Sequence, residues 1–241
     1  MTVKQLNKKL KLTPEQLQSI SDAVRQAEKK TSGEIALAIT PESSSYAVYE
    51  IICSVLSGII CFSVMVPYSQ DIQAWLFSFL WTENSWILPL FMETVSIGFS
   101  LLFYFIFNTP FFDRLIVPKV VQKRKVYNRA LRYFTESGIY STENHTGILI
   151  FTSWVERSIY ILADEGIAKK IPQQHWNEIA FKISTGFLVG KASSITDAYL
   201  EAIKQCGELL QEHFPQEKEN PNELKDNLDI VGDGLVMFNE N

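Results

Sequence analysis

The first 45 residues order apolar and polar positions in a way that predicts a helix followed by a buried strand. Thr13, Pro14 and Gln16 carry the signature of a capped helix start. Apolar residues then recur every three or four positions, which places them on one helical face: Leu17, Ile20, Val24 and Ala27. The segment EIALAIT has apolar residues on both faces, a pattern typical of a strand covered on both sides. Both elements are typical of a water-soluble domain.

Two long apolar stretches follow directly, at residues 46–66 and 85–107. About 20 apolar residues span the hydrocarbon core of a bilayer, so each stretch is long enough to cross it. Each contains a single acid, Glu50 in the first and Glu93 in the second. The segment between them places tryptophan, phenylalanine and leucine on one helical stripe, which predicts an interfacial helix. The pattern predicts a transmembrane helical hairpin over 46–107; the alternative is a buried helical hairpin of a soluble protein.

After the hairpin the chain returns to the pattern of a soluble domain. A basic helix is predicted over 114–136, and the segments GILIFTSW and RSIYILAD predict two strands joined by a hairpin. Two further helices are predicted before residue 215. Segments with the pattern of a soluble protein therefore flank the hairpin on both sides. Residues 216–241 are acidic, rich in asparagine and poor in aromatics, which predicts a disordered tail.

The distribution of charge predicts how the hairpin is oriented. Residues 46–107 contain four acids and no lysine or arginine, whereas six basic residues lie between Lys119 and Arg132. By the positive-inside rule, the connection between the two spans lies outside and both termini are cytoplasmic. The basic helix also predicts contact with membrane lipid, at about 1 kcal/mol for each base near an anionic surface. A net charge of −5 argues against a nucleic-acid partner.

The chemistry-bearing residues do not form a known catalytic motif. The three cysteines and three histidines lack the spacing of a zinc site or of a disulfide framework. Cys206 is followed by GELLQE on a predicted helix, not by the arginine-bearing loop that a cysteine phosphatase needs. The run TGFLVGKASS is one residue too short between its glycines for a phosphate-binding loop, and Ala192 stands where that loop needs Ser or Thr.

The order of several short segments nevertheless resembles a known family. AEKKTSGEIALAI ends the first helix and forms the first strand, Thr142 to Ile150 carries T-x4-GILI, and the third strand ends in ILADEGI. These segments resemble the TPM domain family, which includes a thylakoid-lumen acid phosphatase and bacterial TPM domain membrane proteins. The resemblance covers residues 11–45 and 114–215 and implies that they form one discontinuous TPM-like domain. Its implied fold is α/β, a three-layer α/β/α sandwich with a small central mixed sheet, interrupted here by the transmembrane helical hairpin. It also implies either phosphatase activity or an assembly or accessory role.

The candidate site is the loop cluster that the resemblance brings together at one end of the sheet. Its members are Glu34, Thr142, His145, Asp164 and Glu165. Three of them, Glu34, Asp164 and Glu165, are carboxylates that could bind calcium through oxygen. In the alternative interpretation, Glu34 and Thr142 hydrogen-bond loops and Asp164 holds the turn at DEG.

Three hypotheses for function follow from these observations. The first is a membrane-tethered TPM-like domain that acts as a binding, assembly or accessory factor for another membrane protein at the cytoplasmic face. The second is a phosphatase that acts near the membrane, which rests on the resemblance alone. The third is a small transporter or channel subunit, because an intramembrane acid such as Glu93 is costly and often functional. Glu93 could equally make a packing or oligomerisation contact, and Glu50 is expected to extend its carboxylate to the interface.

Overall fold

The computed structural model describes residues 1–80, 84–142, 144–189, 192–216 and 222–232. The chain divides into two compact units, which we describe separately. Unit 1 comprises Met1–Ser44 and Val120–Asn241, and unit 2 comprises Ser45–Lys119. The second unit is thus inserted into the sequence of the first.

In chain order, the elements of unit 2 form one block that interrupts those of unit 1. The helices are α1 (Val3–Leu10), α2 (Pro14–Glu28), α3 (Ala47–Met65), α4 (Ser69–Leu80), α5 (Ile87–Phe107), α6 (Pro110–Ile116), α7 (Lys119–Glu136), α8 (Glu165–Ala168), α9 (Gln173–Val189) and α10 (Ala192–His213). The strands are β1 (Glu34–Thr40), β2 (Gly147–Ser153), β3 (Ser158–Ala163) and β4 (Leu228–Ile230). Short 3-10 helices lie at Val66–Tyr68 and Ile139–Ser141.

The four strands of unit 1 form one mixed sheet in the order β3-β2-β1-β4. β1 pairs in parallel with β2 on one side and with β4 on the other, and β2 pairs antiparallel with β3. The β1–β2 register runs from Glu34 opposite Gly147 to Thr40 opposite Ser153. The hairpin unit is therefore inserted between two strands that are direct neighbours in the sheet.

Helices cover both faces of this sheet and create two cores, as a three-layer arrangement requires. Side chains alternate along each strand, so that Ile35, Leu37 and Ile39 face a core built with α1, α2, α9 and α10. Ala36 and Ala38 face the other core, which α7 completes. The α/β class and the mixed central sheet predicted from the sequence are confirmed.

Unit 2 contains two helical segments long and apolar enough to cross a membrane, Ala47–Leu80 and Ile87–Phe107. Only 11% and 6% of their most apolar windows are buried inside the structure, which is unlike the core helices of a soluble protein. α3 and α5 pack closely at Gly58, where an added Cβ would lie 2.9 Å from the carbonyl oxygen of Ser96. The predicted interfacial segment forms α4.

Two predicted boundaries need correction. The predicted domain begins at residue 11, but unit 1 also contains α1, whose Leu6 and Leu10 are buried in the core. The prediction of a disordered tail over 216–241 is wrong for Leu228–Ile230, which form β4 because the edge of β1 offers unpaired backbone groups. Other parts of that predicted tail, residues 217–221 and 233–241, lie outside the described residues.

Candidate functional site

The loop that enters β2 is held by a buried threonine. Thr142 is 3% exposed, and its Oγ1 accepts a hydrogen bond from the amide of Thr146 at 3.1 Å. The amide of His145 donates to the Thr142 carbonyl at 3.0 Å, which closes a tight turn. His145 has a φ of 52°, in the left-handed region that a residue with a Cβ rarely adopts. This turn directs the imidazole towards Asp164, the residue that follows β3.

His145 and Asp164 form a pair at the surface. The Nδ1 of His145 lies 3.2 Å from the Oδ2 of Asp164 and 3.2 Å from the carbonyl oxygen of Tyr140. The side chain of His145 is 64% exposed and that of Asp164 is 10% exposed. The imidazole is therefore oriented through one nitrogen while much of the ring faces solvent. A histidine held in this way by a carboxylate is suited to proton transfer.

Asp164 is fixed by the backbone on both sides. Its amide donates to the Gly147 carbonyl at 2.9 Å, and its side chain accepts a hydrogen bond from the amide of Glu165 at the start of α8. Gly166 allows the two loops to approach, because a Cβ there would lie 2.5 Å from the carbonyl oxygen of His145. The structural role predicted as the alternative for Asp164 is thus present alongside its contact with His145.

Glu165 differs from its neighbour because its carboxylate is exposed. It forms a 2.7 Å ion pair with Lys169, one turn later. The hydrogen bond from Lys169 lowers the pKa of Glu165 below the ordinary value of a glutamate. Glu165 therefore contributes a solvated negative charge beside the His145–Asp164 pair.

Glu34 lies in a different environment from the other predicted site residues. It begins β1, with β2 between it and Asp164 in the sheet. Its carboxylate is 1% exposed and accepts a 3.4 Å hydrogen bond from the amide of Leu224. Burial raises the pKa of Glu34 to about 7, against the lowering effect of backbone hydrogen bonds from Leu224 and Glu223.

A second buried carboxyl group, Glu28, lies beside Glu34. Its Oε1 accepts the amide of Ile35 at 2.8 Å, and its side chain is almost wholly removed from solvent. Burial is the main cause that raises the pKa of Glu28 to about 8; the charges of Glu34 and Asp226 act in the same direction, and the hydrogen bond from the amide of Ile35 acts against them. The sequence prediction missed this group, although Glu28 follows Val24 by one turn on the buried stripe of α2.

The predicted calcium site gains no support from this geometry. Within the part of the chain that the structure describes, no group of three or more His, Cys, Asp or Glu side chains is placed to hold a metal ion. The carboxylates of Asp164 and Glu165 instead bind a backbone amide and Lys169. Calcium binding stays a prediction, and calorimetric titration of the full chain is its direct test.

The two acids of the apolar helices differ in exposure within unit 2. Glu50 lies in the first turn of α3 and is 8% exposed, whereas Glu93 lies on an exposed face of α5. At a rise of about 1.5 Å per residue, Glu93 is roughly 9 Å from the start of its helix. The prediction of a snorkelling Glu50 stays untested.

The comparisons with known proteins agree with this architecture. Residues 114–208 match the family model described as the TPM domain, which confirms the resemblance noted in the sequence. The structure is similar to the NMR structure of the BA42 protein from the psychrophilic bacterium Bizionia argentinensis, with a TM-score of 0.52. The alignment has 18% identity and covers 91% of this chain and 95% of that one, so it shows the fold alone. No curated protein matches the chain.

Proposed function

We propose that this chain is a membrane-tethered TPM-like domain that binds other membrane proteins at the cytoplasmic face and assists their assembly or activity. The observation that carries the proposal is the place of the insertion. The two apolar helical segments enter between β1 and β2, which are paired along seven residues each. A domain with such a loop extension would be held within a few residues of the bilayer. That location suits an accessory factor for proteins in the same membrane.

The chain leaves β1 through a well-anchored loop of unit 1. The amide of Ser43 donates to a carboxylate oxygen of Glu156 at 2.9 Å, and the Ser43 hydroxyl donates to Ser153 at 2.8 Å. The Ser153 hydroxyl in turn donates to the same carboxylate, which is almost wholly buried. A buried side chain that accepts hydrogen bonds from both Ser43 and Ser153 makes a rigid exit point. We interpret this network as the anchor of the tether.

The predicted orientation places α7 and its basic residues at the cytoplasmic surface. Lys119, Lys123, Arg124 and Lys125 lie within the first two turns of this helix. Their charges would attract anionic lipid headgroups, so this helix would lie close to the membrane surface. Cysteine accessibility in intact cells tests the orientation: reporters near the N-terminus and after α10 should react only after permeabilisation.

Affinity capture of the full chain in mild detergent tests the proposed function. We expect specific membrane proteins to co-purify with the wild-type chain, at least fivefold above a tag-only control. A Gly147→Ala variant keeps the hairpin but places a Cβ 2.3 Å from the carbonyl oxygen of Ile139. This clash should destabilise the domain, so the variant should lose those partners. Equal capture by both chains would mean that the domain does not select them, and no enrichment would contradict the proposal.

A phosphatase is the second candidate, favoured by the His145–Asp164 pair together with the family match. The oriented imidazole could take a proton from an attacking water, with Asp164 stabilising the imidazolium that forms. We expect an active enzyme to hydrolyse a generic aryl phosphate and to lose at least tenfold in rate on His145→Gln. A matched His175→Gln variant, at an exposed histidine of α9, should keep its rate. Turnover no higher than that of heat-denatured protein would remove this candidate.

A further inference from the structure

We propose that the edge of β1 covered by β4 is a strand-exchange site for an extended segment of a partner protein. In this proposal the chain's own residues 222–232 occupy the site until the partner segment replaces them. The proposal rests on the function proposed above, because it supplies the surface by which an accessory factor would hold its client. The partner segment would add to the sheet as a strand, through backbone pairing.

β4 is short and lies at the edge of the sheet. It has three residues, and its register pairs Leu37, Ala38 and Ile39 with Leu228, Asp229 and Ile230. One further backbone bond follows, from the amide of Val231 to the Ile39 carbonyl at 2.8 Å. β1 by contrast pairs with β2 along its whole length. Removing β4 would therefore leave the main sheet pairing intact and would open one edge.

The side chains of the segment define which peptide fits. Leu228 and Ile230 face the core formed with α1, α2, α9 and α10. Asp229 between them accepts a 2.7 Å hydrogen bond from the Tyr133 hydroxyl on the opposite face. Asp226 accepts a 2.5 Å hydrogen bond from the Nε of Arg25. The site thus selects an acid, any residue, then an apolar–acidic–apolar triplet, as in DNLDI.

The side chains that bind Asp226 and Asp229 belong to the folded domain and not to the segment itself. Tyr133 lies on α7, and its ring packs in the core beneath β2. Arg25 lies on α2 with its side chain 54% exposed, so it can meet an incoming carboxylate without rearrangement of the core. Arg129 adds a hydrogen bond to the backbone carbonyl of Gly232, which any peptide could accept. The side chains of Tyr133, Arg25 and Arg129 would therefore remain available when the segment leaves.

Carboxyl groups of the domain lie close enough to weaken the hold on the segment. The charge of Asp226 raises the pKa of both Glu28 and Glu34, so the three carboxyl groups lie near one another, and Arg25 supplies an opposing charge to Asp226. Like charges held together oppose binding. Among the described contacts, the segment is held by the Arg25–Asp226 ion pair, by a three-residue strand, and by hydrogen bonds with the side chains of Tyr133, Arg129 and Glu34. Such a contact is suited to exchange.

Competition from the tethered segment has to be reduced before a peptide can be measured. A segment on a short linker competes at an effective concentration on the order of millimolar. We therefore compare the full wild-type chain with a full chain in which Leu228→Asp and Ile230→Asp weaken β4. The probe is a fluorescent peptide with the sequence NELKDNLDIVG, residues 222–232, followed by anisotropy in mild detergent. The control peptide carries the same two aspartate substitutions.

The expected result is tighter binding of the probe to the weakened chain than to the wild type, by at least tenfold in Kd, and no binding of the control peptide. Arg25→Glu in the weakened chain should lower the affinity at least fivefold, and a probe with Asp226→Lys should recover it. The absence of probe binding to either chain would overturn the proposal. So would a concentration-dependent dimer of the wild type that the probe does not dissociate, because the occupant would then be a second copy.

If the weakened chain does not fold, hydrogen exchange of the wild-type chain tests strand exchange directly. The amide of Val231 should exchange at least a hundredfold faster than the amides of β2, which would show opening of β4 without unfolding. Equal rates would contradict the exchange. Probe binding without co-purified membrane proteins would support the strand-exchange site but contradict the proposed function. Co-purified membrane proteins without probe binding would support the proposed function but contradict the strand-exchange site.

Discussion

Replacing Gly147 by alanine is expected to destabilise unit 1 by at least about 3 kcal/mol, the range of severe steric substitutions. Gly147 is the first residue of β2, opposite Glu34 in β1. A Cβ at this position would lie 2.3 Å from the carbonyl oxygen of Ile139 and 2.8 Å from its Cγ2. Without a clash, alanine in an extended strand would stabilise the protein by about 0.4–1 kcal/mol through the unfolded chain. The sign of the effect therefore tests the close approach directly.

The neighbouring backbone cannot easily move away. Ile139 is 1% exposed and belongs to the core beneath α7, and it begins the 3-10 helix that leads to Thr142. A displacement of about 1 Å would thus disturb the core and the loop that carries His145. Thermal unfolding in mild detergent, followed by tryptophan fluorescence, measures the effect. For a unit of this size, we expect the midpoint to fall by about 6–12 °C.

Gly98→Ala is the matched control for this substitution. Gly98 lies within α5, and an added Cβ there meets nothing within 4 Å. Alanine is the better helix former by about 1 kcal/mol, so the variant should be neutral or slightly more stable. A Gly147→Ala chain as stable as the control would contradict the packing described for the start of β2.

The fold was predictable where apolar residues repeat with a fixed period. The capping box at Thr13 and Gln16 forms as its residues predict, and both hydrogen bonds are present. EIALAIT and GILIFTS are apolar on both faces, and both became strands covered by helices on each side. β4 was not predictable in this way. Three residues flanked by acids and asparagine carry no period, and their strand state depends on the edge of β1, more than 180 positions earlier in the chain.

The candidate site was predictable only as a set of loops. His145 and Asp164 meet because β2 and β3 are antiparallel neighbours, which the hairpin in the sequence already indicated. The family resemblance grouped Glu34 with them, but its carboxylate accepts a hydrogen bond from a segment that the sequence predicted to be disordered. Pairing of β4 thus decides which cluster Glu34 joins. Because the sequence prediction missed β4, it assigned the carboxylate of Glu34 to the surface site and not to the buried cluster.

The second large prediction concerns pH: the wild-type protein should become less stable as the pH rises from 5 to 8.5. Glu28 and Glu34 ionise near pH 4.5 in the unfolded chain, whereas burial raises their folded pKa values to about 8 and about 7. The folded state therefore holds protons that the unfolded state has lost. The stabilisation is complete below about pH 4.5 and is lost as the pH passes through 7 and 8. At about 1.4 kcal/mol for each pH unit between pH 5 and the folded pKa, the two buried carboxyls together should lower the free energy of unfolding by several kcal/mol over this range.

Chemical denaturation at pH 5, 6, 7 and 8.5 in mild detergent measures this slope. Glu28→Gln removes the larger contribution while an amide oxygen still accepts the hydrogen bond from Ile35. The variant should therefore exceed the wild type by several kcal/mol in the free energy of unfolding at pH 8.5 and lose that advantage at pH 5. Glu178→Gln removes the same charge at an exposed position of α9 and should leave the wild-type slope unchanged. Wild-type stability that rises between pH 6 and 8.5 would contradict the buried, protonated state of Glu28.

The same titration bears on the strand-exchange site, because both carboxyls lie beside the segment that β4 belongs to. Glu34 accepts the amide of Leu224, and the charge of Asp226 acts on Glu28. When both glutamates ionise, repulsion on Asp226 increases while Arg25 remains its partner. Hydrogen exchange at Val231 should then speed up between pH 6 and 8.5 by more than the intrinsic rate does. In the Glu28→Gln chain that excess should shrink, which would tie the lost stability to release of β4 and not to general unfolding of the sheet.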